Sequence, residues 1–154
     1  MNALIKADPE DADYFRQRGK AYIEQLQKLD SWAKTEFAGI PQSKRKVLTS
    51  HDAFGYFGQE YHVSFMAPVG FSTESEASAS GVASLIKQIK DEKVKTYFIE
   101  NQTDPRLVKQ IAAASGAQPG GELYPEALSG PQGPATTYVK AFKHNVETIV
   151  ASMK

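Results

Sequence analysis

Three short apolar runs frame this chain, because each is followed by a stretch with helical spacing. Val47-Leu48-Thr49 comes first, behind the basic cluster Lys44-Arg45-Lys46; His62-Val63-Ser64-Phe65-Met66 and Val94-Lys95-Thr96-Tyr97-Phe98-Ile99 follow. Short runs rich in β-branched and aromatic residues read as strands. After the first, Phe54, Tyr56, Phe57 and Tyr61 can cover one side of a short helix. After the second, a loop over 67–80 with Pro68, Gly70 and the cluster STESEASAS leads into a helix over about 77–92. Its stripe is Val82, Leu85, Ile86 and Ile89. After the third, Asp104-Pro105 opens a helix through Leu107, Val108 and Ile111 that ends near Gly116. From there to Gly133 the composition, rich in Gly and Pro, reads as loop. A last helix over about 134–152 carries Tyr138, Phe142, Val146 and Ile149. This alternation predicts an α/β fold, with a parallel sheet of about four strands and helices on both faces.

Ahead of the sheet stands a long helix. Asp8-Pro9-Glu10-Asp11 is a start signal: a capping aspartate, a proline suited to the first turn, and acids that complement the helix dipole. Phe15, Gly19, Tyr22, Leu26, Leu29, Ala33 and Phe37 recur at steps of three and four, and Gly39 and Pro41 end the run. A helix from Pro9 to Phe37 is roughly 40 Å long at 1.5 Å per residue, more than a small lobe needs. The expected organisation is a single domain, with this helix over about 8–38 and an α/β lobe over 44–154. An ordinary core helix, or one half of a helical dimer, fits the same stripe.

Composition narrows the function classes. The 154 residues suit one domain able to bury a core. Eighteen basic against eighteen acidic residues give no excess charge for neutralising phosphates, so nucleic acid is not an expected partner. No apolar run approaches the roughly 20 residues of a membrane span, and MNALIKADPED has neither the apolar core nor the cleavage site of a signal peptide. Without cysteine there is no disulfide framework and no thiolate metal site.

The residues able to carry chemistry are few. His51 lies where the first strand gives way to a helix, at the carboxyl edge of the sheet, where open α/β folds bind ligands. Neutral imidazole is the commonest metal ligand, and Asp52 beside it can orient the ring or cap the helix. A solvated or capping role fits both residues equally well. Glu100 ends the third strand at the same edge. His62, on the second strand, and His144, in the last helix, read as surface or hydrogen-bonded histidines. No Gly-x-Ser-x-Gly elbow, phosphate loop, dinucleotide-binding glycine pattern or cysteine nucleophile is present. Enzymatic readings, an α/β metallohydrolase among them, are therefore weak.

The segment TSHDAFGYFGQEY resembles the part of periplasmic zinc- and manganese-binding proteins of ABC transporters that carries their third metal ligand. The resemblance continues through FSTESEASASGVASLIKQIKDEKVKTYFIENQTDPRLVKQIA and GGELYPEALSGPQGPATTYVKAFKHNVETIV. It implies a solute-binding protein rather than an enzyme, and in a two-lobed family it covers only the linking helix and the C-terminal lobe. The N-terminal lobe is then absent and the chain is expected to be a natural or engineered fragment. In that family the acidic ligand is an aspartate in Asp-Ser-Leu-Ser, ahead of a Gly-Pro-Ala turn and a Thr-Tyr helix. Here the matching residues are Glu126-Ala127-Leu128-Ser129, Gly133-Pro134-Ala135 and Thr137-Tyr138. The resemblance thus implies metal ligands His51 and Glu126, with Asp52 and Glu100 as candidates for holding them in place. Glutamate for aspartate adds a methylene, which alters reach and denticity. A histidine at position 51 tilts the expected cargo to Zn²⁺, with Mn²⁺ the alternative, and binding by one lobe alone is expected to be weak. The implied partners are an ABC permease and the absent lobe, the implied location periplasmic or cell-surface, as in the adhesion-type lipoproteins of this family. Self-association through the bared long helix is a further expectation. The competing reading is an α/β interaction module that binds no metal.

Overall fold

The structure is a computed structural model and describes residues 1–68 and 78–154. Strands β1 (Lys46–Leu48), β2 (Ser64–Met66), β3 (Thr96–Glu100) and β4 (Gln118–Leu123) form one parallel sheet in the order β2-β1-β3-β4. Parallel neighbours need crossovers. Helices α3 (Gly55–Tyr61), α4 (Ala79–Asp91) and α5 (Arg106–Ser115) supply them. Alternate side chains of the strands then fill two cores. Val47, Phe65, Phe98 and Leu123 face the long helix α2 (Ala12–Ala38), α3 and the last helix α6 (Tyr138–Met153), packing with Phe37, Val146 and Ile149. Leu48, Met66, Tyr97 and Ile99 face α4 and α5, packing with Ile89, Val108 and Ile111. The α/β fold with helices on both faces is as expected.

Four local expectations change. β4 lies inside the stretch read as loop, because its sequence QPGGEL is shaped by its neighbour rather than by strand propensity. A Cβ on Gly120 would lie 2.4 Å from both Phe98 Cε1 and Thr96 Cγ2. Gly121 has φ 124° beside a register shift at Tyr97/Phe98, and Pro119 is tolerated because β4 is an edge strand. At the N-terminus a short helix α1 (Asn2–Ala7) precedes Asp8, whose Oδ1 accepts from Asp11 N–H at 3.4 Å, so α2 starts at Ala12 rather than Pro9. His62 is not on a strand: it closes α3 in the left-handed region at φ 54°. Tyr56 is 93% exposed and leaves the buried side of α3 to Phe54, Phe57 and Tyr61. Gly70 and most of the Ser/Thr/Glu cluster lie outside the described residues. Its Ser78 caps α4 by accepting from Gly81 N–H at 3.1 Å.

The C-terminal half of α2 is locked in place by Arg45. Its guanidinium donates to Ile40 O (3.1 Å), Tyr61 O (2.9 Å) and Phe37 O (2.8 Å), and lies 5.9 Å from the Phe37 ring centre. One side chain thereby serves carbonyls at the ends of both α2 and α3. Leu29, Ala33 and Phe37 of this half are buried, whereas Tyr14, Tyr22 and Ile23 of the other half are 58%, 45% and 47% exposed. Met1 covers part of that half through contact with Gly19. Local opening follows the density of buried contacts, so amide exchange is expected to be faster from Pro9 to about Gln25 than from Leu29 to Phe37. Equal protection in a dilute monomer would contradict this.

Candidate metal centre

The sheet order places the strands bearing His51 and Glu100 side by side. Connections run outward from β1 to β2 on one flank and from β3 to β4 on the other. The reversal point of such a sheet leaves a crevice at its carboxyl edge. Residues after β1, at the end of β3 and after β4 meet there.

The site is assembled from the main chain outward. Thr49, fully buried, continues β1 by donating its N–H to Met66 O at 2.8 Å. Its hydroxyl donates to His51 O at 3.1 Å, and Ala53 N–H donates to the same oxygen at 3.1 Å. The tight turn so formed fixes His51, which is buried. Glu100 holds it from the other side. Its Oε1 accepts from the His51 main-chain N–H at 3.2 Å, and its Oε2 is in direct contact with ring Nδ1. Burial holds the Glu100 carboxyl above the ordinary glutamate range, although the His51 N–H, the ring and the Ser50 N–H pull it the other way.

With Nδ1 engaged, Nε2 is the free end of the ring, and it lies 3.6 Å from Glu126 Oε1. The Glu126 side chain is 65% exposed, while that of His51 is 7% exposed. The structure therefore brings His51, Glu100 and Glu126 together across three strand ends. Beside Glu126 opens a cleft of about 480 Å³, lined by Tyr56, Phe57, Tyr61, Tyr124, Tyr138 and Phe142 among others. Asp52 does not join the three. It is exposed, and Phe54 rather than Asp52 stands at the N-cap of α3, with no side-chain cap bond, so among the described residues Glu100 is the carboxylate on ring Nδ1. The His144 Nε2 lies 3.0 Å from Glu122 O, a hydrogen-bonded histidine, and His62 is exposed. Among the described residues no group of three or more His, Asp or Glu side chains converges to hold an ion by itself.

Two asparagines that the sequence reading passed over hold the loop carrying Glu126. Asn145 of α6 is 6% exposed; its Oδ1 accepts from Tyr124 N–H and its Nδ2 donates to Tyr124 O, both at 2.9 Å. Asn101 donates from Nδ2 to Ala127 O at 3.2 Å and from its main-chain N–H to Leu123 O at 3.1 Å. Further along, Ser129 N–H donates to Ala135 O and Ala135 N–H donates to Ser129 Oγ, both at 2.9 Å. Their only sequence signal is a polar residue within the apolar stripe of α6 and one immediately after a strand-end acid.

Comparison with known proteins agrees with this architecture. The sequence model described as "Zinc-uptake complex component A periplasmic" matches residues 1–152. Manganese-binding lipoprotein MntA of Bacillus subtilis is 35% identical over 97% of this chain and 50% of its own length. Zinc-binding protein TroA of Treponema pallidum is 36% identical over 98% of this chain and 51% of its own. The solved structure of TroA superposes with a TM-score of 0.92 at 35% identity, covering 99% of this chain and 57% of that one. The iron ABC transporter substrate-binding lipoprotein MtsA of Streptococcus pyogenes is 30% identical over 95% of this chain and 47% of its own. The chain thus spans about half the length of these curated relatives, which are binding proteins by name. No helix among the described residues is long and apolar enough to cross a membrane. With the family match running over 1–152 and the fold shared throughout, this chain belongs to the periplasmic zinc-uptake component A family.

Proposed function

We propose that this chain is the C-terminal lobe of a metal solute-binding protein, and that His51 Nε2 and Glu126 Oε1 are its two donors to the ion. The observation that supports this most directly is their separation of 3.6 Å. One imidazole nitrogen and one carboxylate oxygen suit borderline-soft Zn²⁺, so Zn²⁺ is the proposed cargo and Mn²⁺ the alternative. Glu100 leaves Nε2 unprotonated by taking the Nδ1 side of the ring, as carboxylates behind metal-bound histidines do.

In this reading a second lobe, not contained in this chain, supplies the remaining ligands and covers the bared half of α2. Without it, Tyr14, Tyr22 and Ile23 favour self-association. The assembled protein works outside the cytoplasmic membrane and hands its ion to an ABC permease when the lobes part. It performs no chemistry on the ion.

A half-filled coordination shell lacks the chelate contribution of the missing donors. Titration of the monomeric chain with Zn²⁺ is therefore expected to show weak one-to-one binding, with shifts confined to the His51 ring and residues near Glu126. The same shifts should vanish in His51→Ala. Tight binding by the monomer, or an unchanged response in His51→Ala, contradicts the proposal. An interaction module without a metal site gives no response in either protein, and a stronger response to Mn²⁺ than to Zn²⁺ moves the cargo to the alternative.

A further inference from the structure

We infer that Asn145 is a positioning residue for the Glu126 carboxylate, and that it shares this task with Asn101; the inference rests on the proposed ligand role of Glu126. Beyond Leu123 the chain leaves the sheet, so Tyr124 has no strand partner for its N–H and C=O. The Asn145 amide takes both groups at 2.9 Å, as a neighbouring strand would. Only a primary amide both donates and accepts in this way. Asn145 itself is buried in α6 among residues of the sheet core, so the start of the loop is referenced to the core rather than to solvent.

On the far side of Glu126 the reference is the end of β3. Asn101 holds Ala127 O at 3.2 Å and Leu123 O at 3.1 Å. Its neighbour Glu100 holds His51. Consecutive residues of one strand end therefore set the positions of both proposed donors. Glu126 lies between two clamped residues, Tyr124 and Ala127, and its main chain has little freedom although its carboxylate is exposed. That combination gives a fixed anchor and an adjustable tip, which starts within reach of Nε2.

A double-mutant cycle between Asn145→Asp and Glu126→Ala tests the inference, with Zn²⁺ as probe and the His51 imidazole resonances as readout. Aspartate has the shape of asparagine but loses the donor and opposes Tyr124 O. In the parent chain, Asn145→Asp is expected to weaken Zn²⁺ binding by about tenfold or more, the lower end of the effect of residues that orient metal ligands. In the Glu126→Ala background it should do nothing further, because there is no carboxylate left to position. Equal weakening in both backgrounds, or none in either, overturns the inference while leaving Glu126 as a ligand. An unchanged affinity in Glu126→Ala alone instead overturns the ligand role of Glu126. Asn101→Ala, which acts on Ala127 from outside α6, carries the same cycle if Asn145→Asp does not fold.

Discussion

Arg45→Met is expected to lower the unfolding free energy by about 3 kcal/mol. Three carbonyls lose a charged donor at once: Phe37, Ile40 and Tyr61. Each hydrogen bond to a charged group contributes about 1.5–3 kcal/mol, and an acceptor left unpaired costs about 1–3 kcal/mol when buried. Arg45 is only half-buried, so water recovers part of this and the sum is well below three full penalties. Methionine keeps the aliphatic stem over Phe37, which isolates the loss of the fork. For a chain of this size the change corresponds to a drop of roughly 6–12 °C in Tm. Arg45→Lys should fall most of the way to the methionine variant, because one ammonium cannot reach three divergent carbonyls. Thermal unfolding followed by circular dichroism decides it; a loss under about 1 kcal/mol would show that the two helix ends hold together without the clamp.

Glu100→Gln is expected to weaken metal binding by one to two orders of magnitude while leaving the fold intact. One oxygen of Glu100 accepts from the His51 main-chain N–H, and the other atom position faces ring Nδ1. A glutamine must keep its carbonyl oxygen on the main-chain side, which turns its NH₂ towards the ring. Nδ1 then becomes the acceptor, the ring proton moves to Nε2, and the nitrogen aimed at Glu126 can no longer bind an ion. Zn²⁺ affinity should drop by about 10–100-fold. Stability should change by less than about 1 kcal/mol, since burial already disfavours the charged form of Glu100 and the amide fills the same space. The ¹⁵N shifts of the His51 ring report the tautomer directly, without metal. A ring still protonated on Nδ1 in Glu100→Gln would refute the account, whatever the affinity does.

The two variants also mark what could be read from the residues alone. Val47-Leu48 announced a buried strand because β-branched and aliphatic residues in a short run have few other uses, and His51 followed from its place at the end of that strand. Glu126 required the resemblance, because an acid in a glycine- and proline-rich loop has no local signature. Its 3.6 Å approach to His51 depends on strands far apart in the chain. Asn145 and Asn101 were illegible for a related reason: their partners are main-chain groups of Leu123, Tyr124 and Ala127, and main chain leaves no trace in side-chain patterning. β4 failed in the opposite direction. Gly120 is there because Phe98 and Thr96 occupy the space of any side chain, so a tertiary constraint wrote a sequence that looks like a turn. Of the two candidates for holding the ring, the sequence neighbour Asp52 stands apart, and the strand neighbour Glu100 from β3 contacts it.

The strand order has a consequence for how the protein reaches its native state. β1 pairs with β2 through Lys46↔Ser64 and with β3 through Leu48↔Tyr97. The second pairing closes a loop more than twice as long, which costs roughly 1 kcal/mol more in chain entropy. The aromatic cluster of Phe37, Phe57, Tyr61 and Phe65 rewards the shorter closure at once, while Glu100 reaches His51 only through the longer one. A folding nucleus built from α2, β1, α3 and β2 is therefore expected to precede the junction of β1 with β3. On that order the histidine gains its Glu100 contact only when β1 meets β3, so the metal site is expected to form later than the aromatic core beside it.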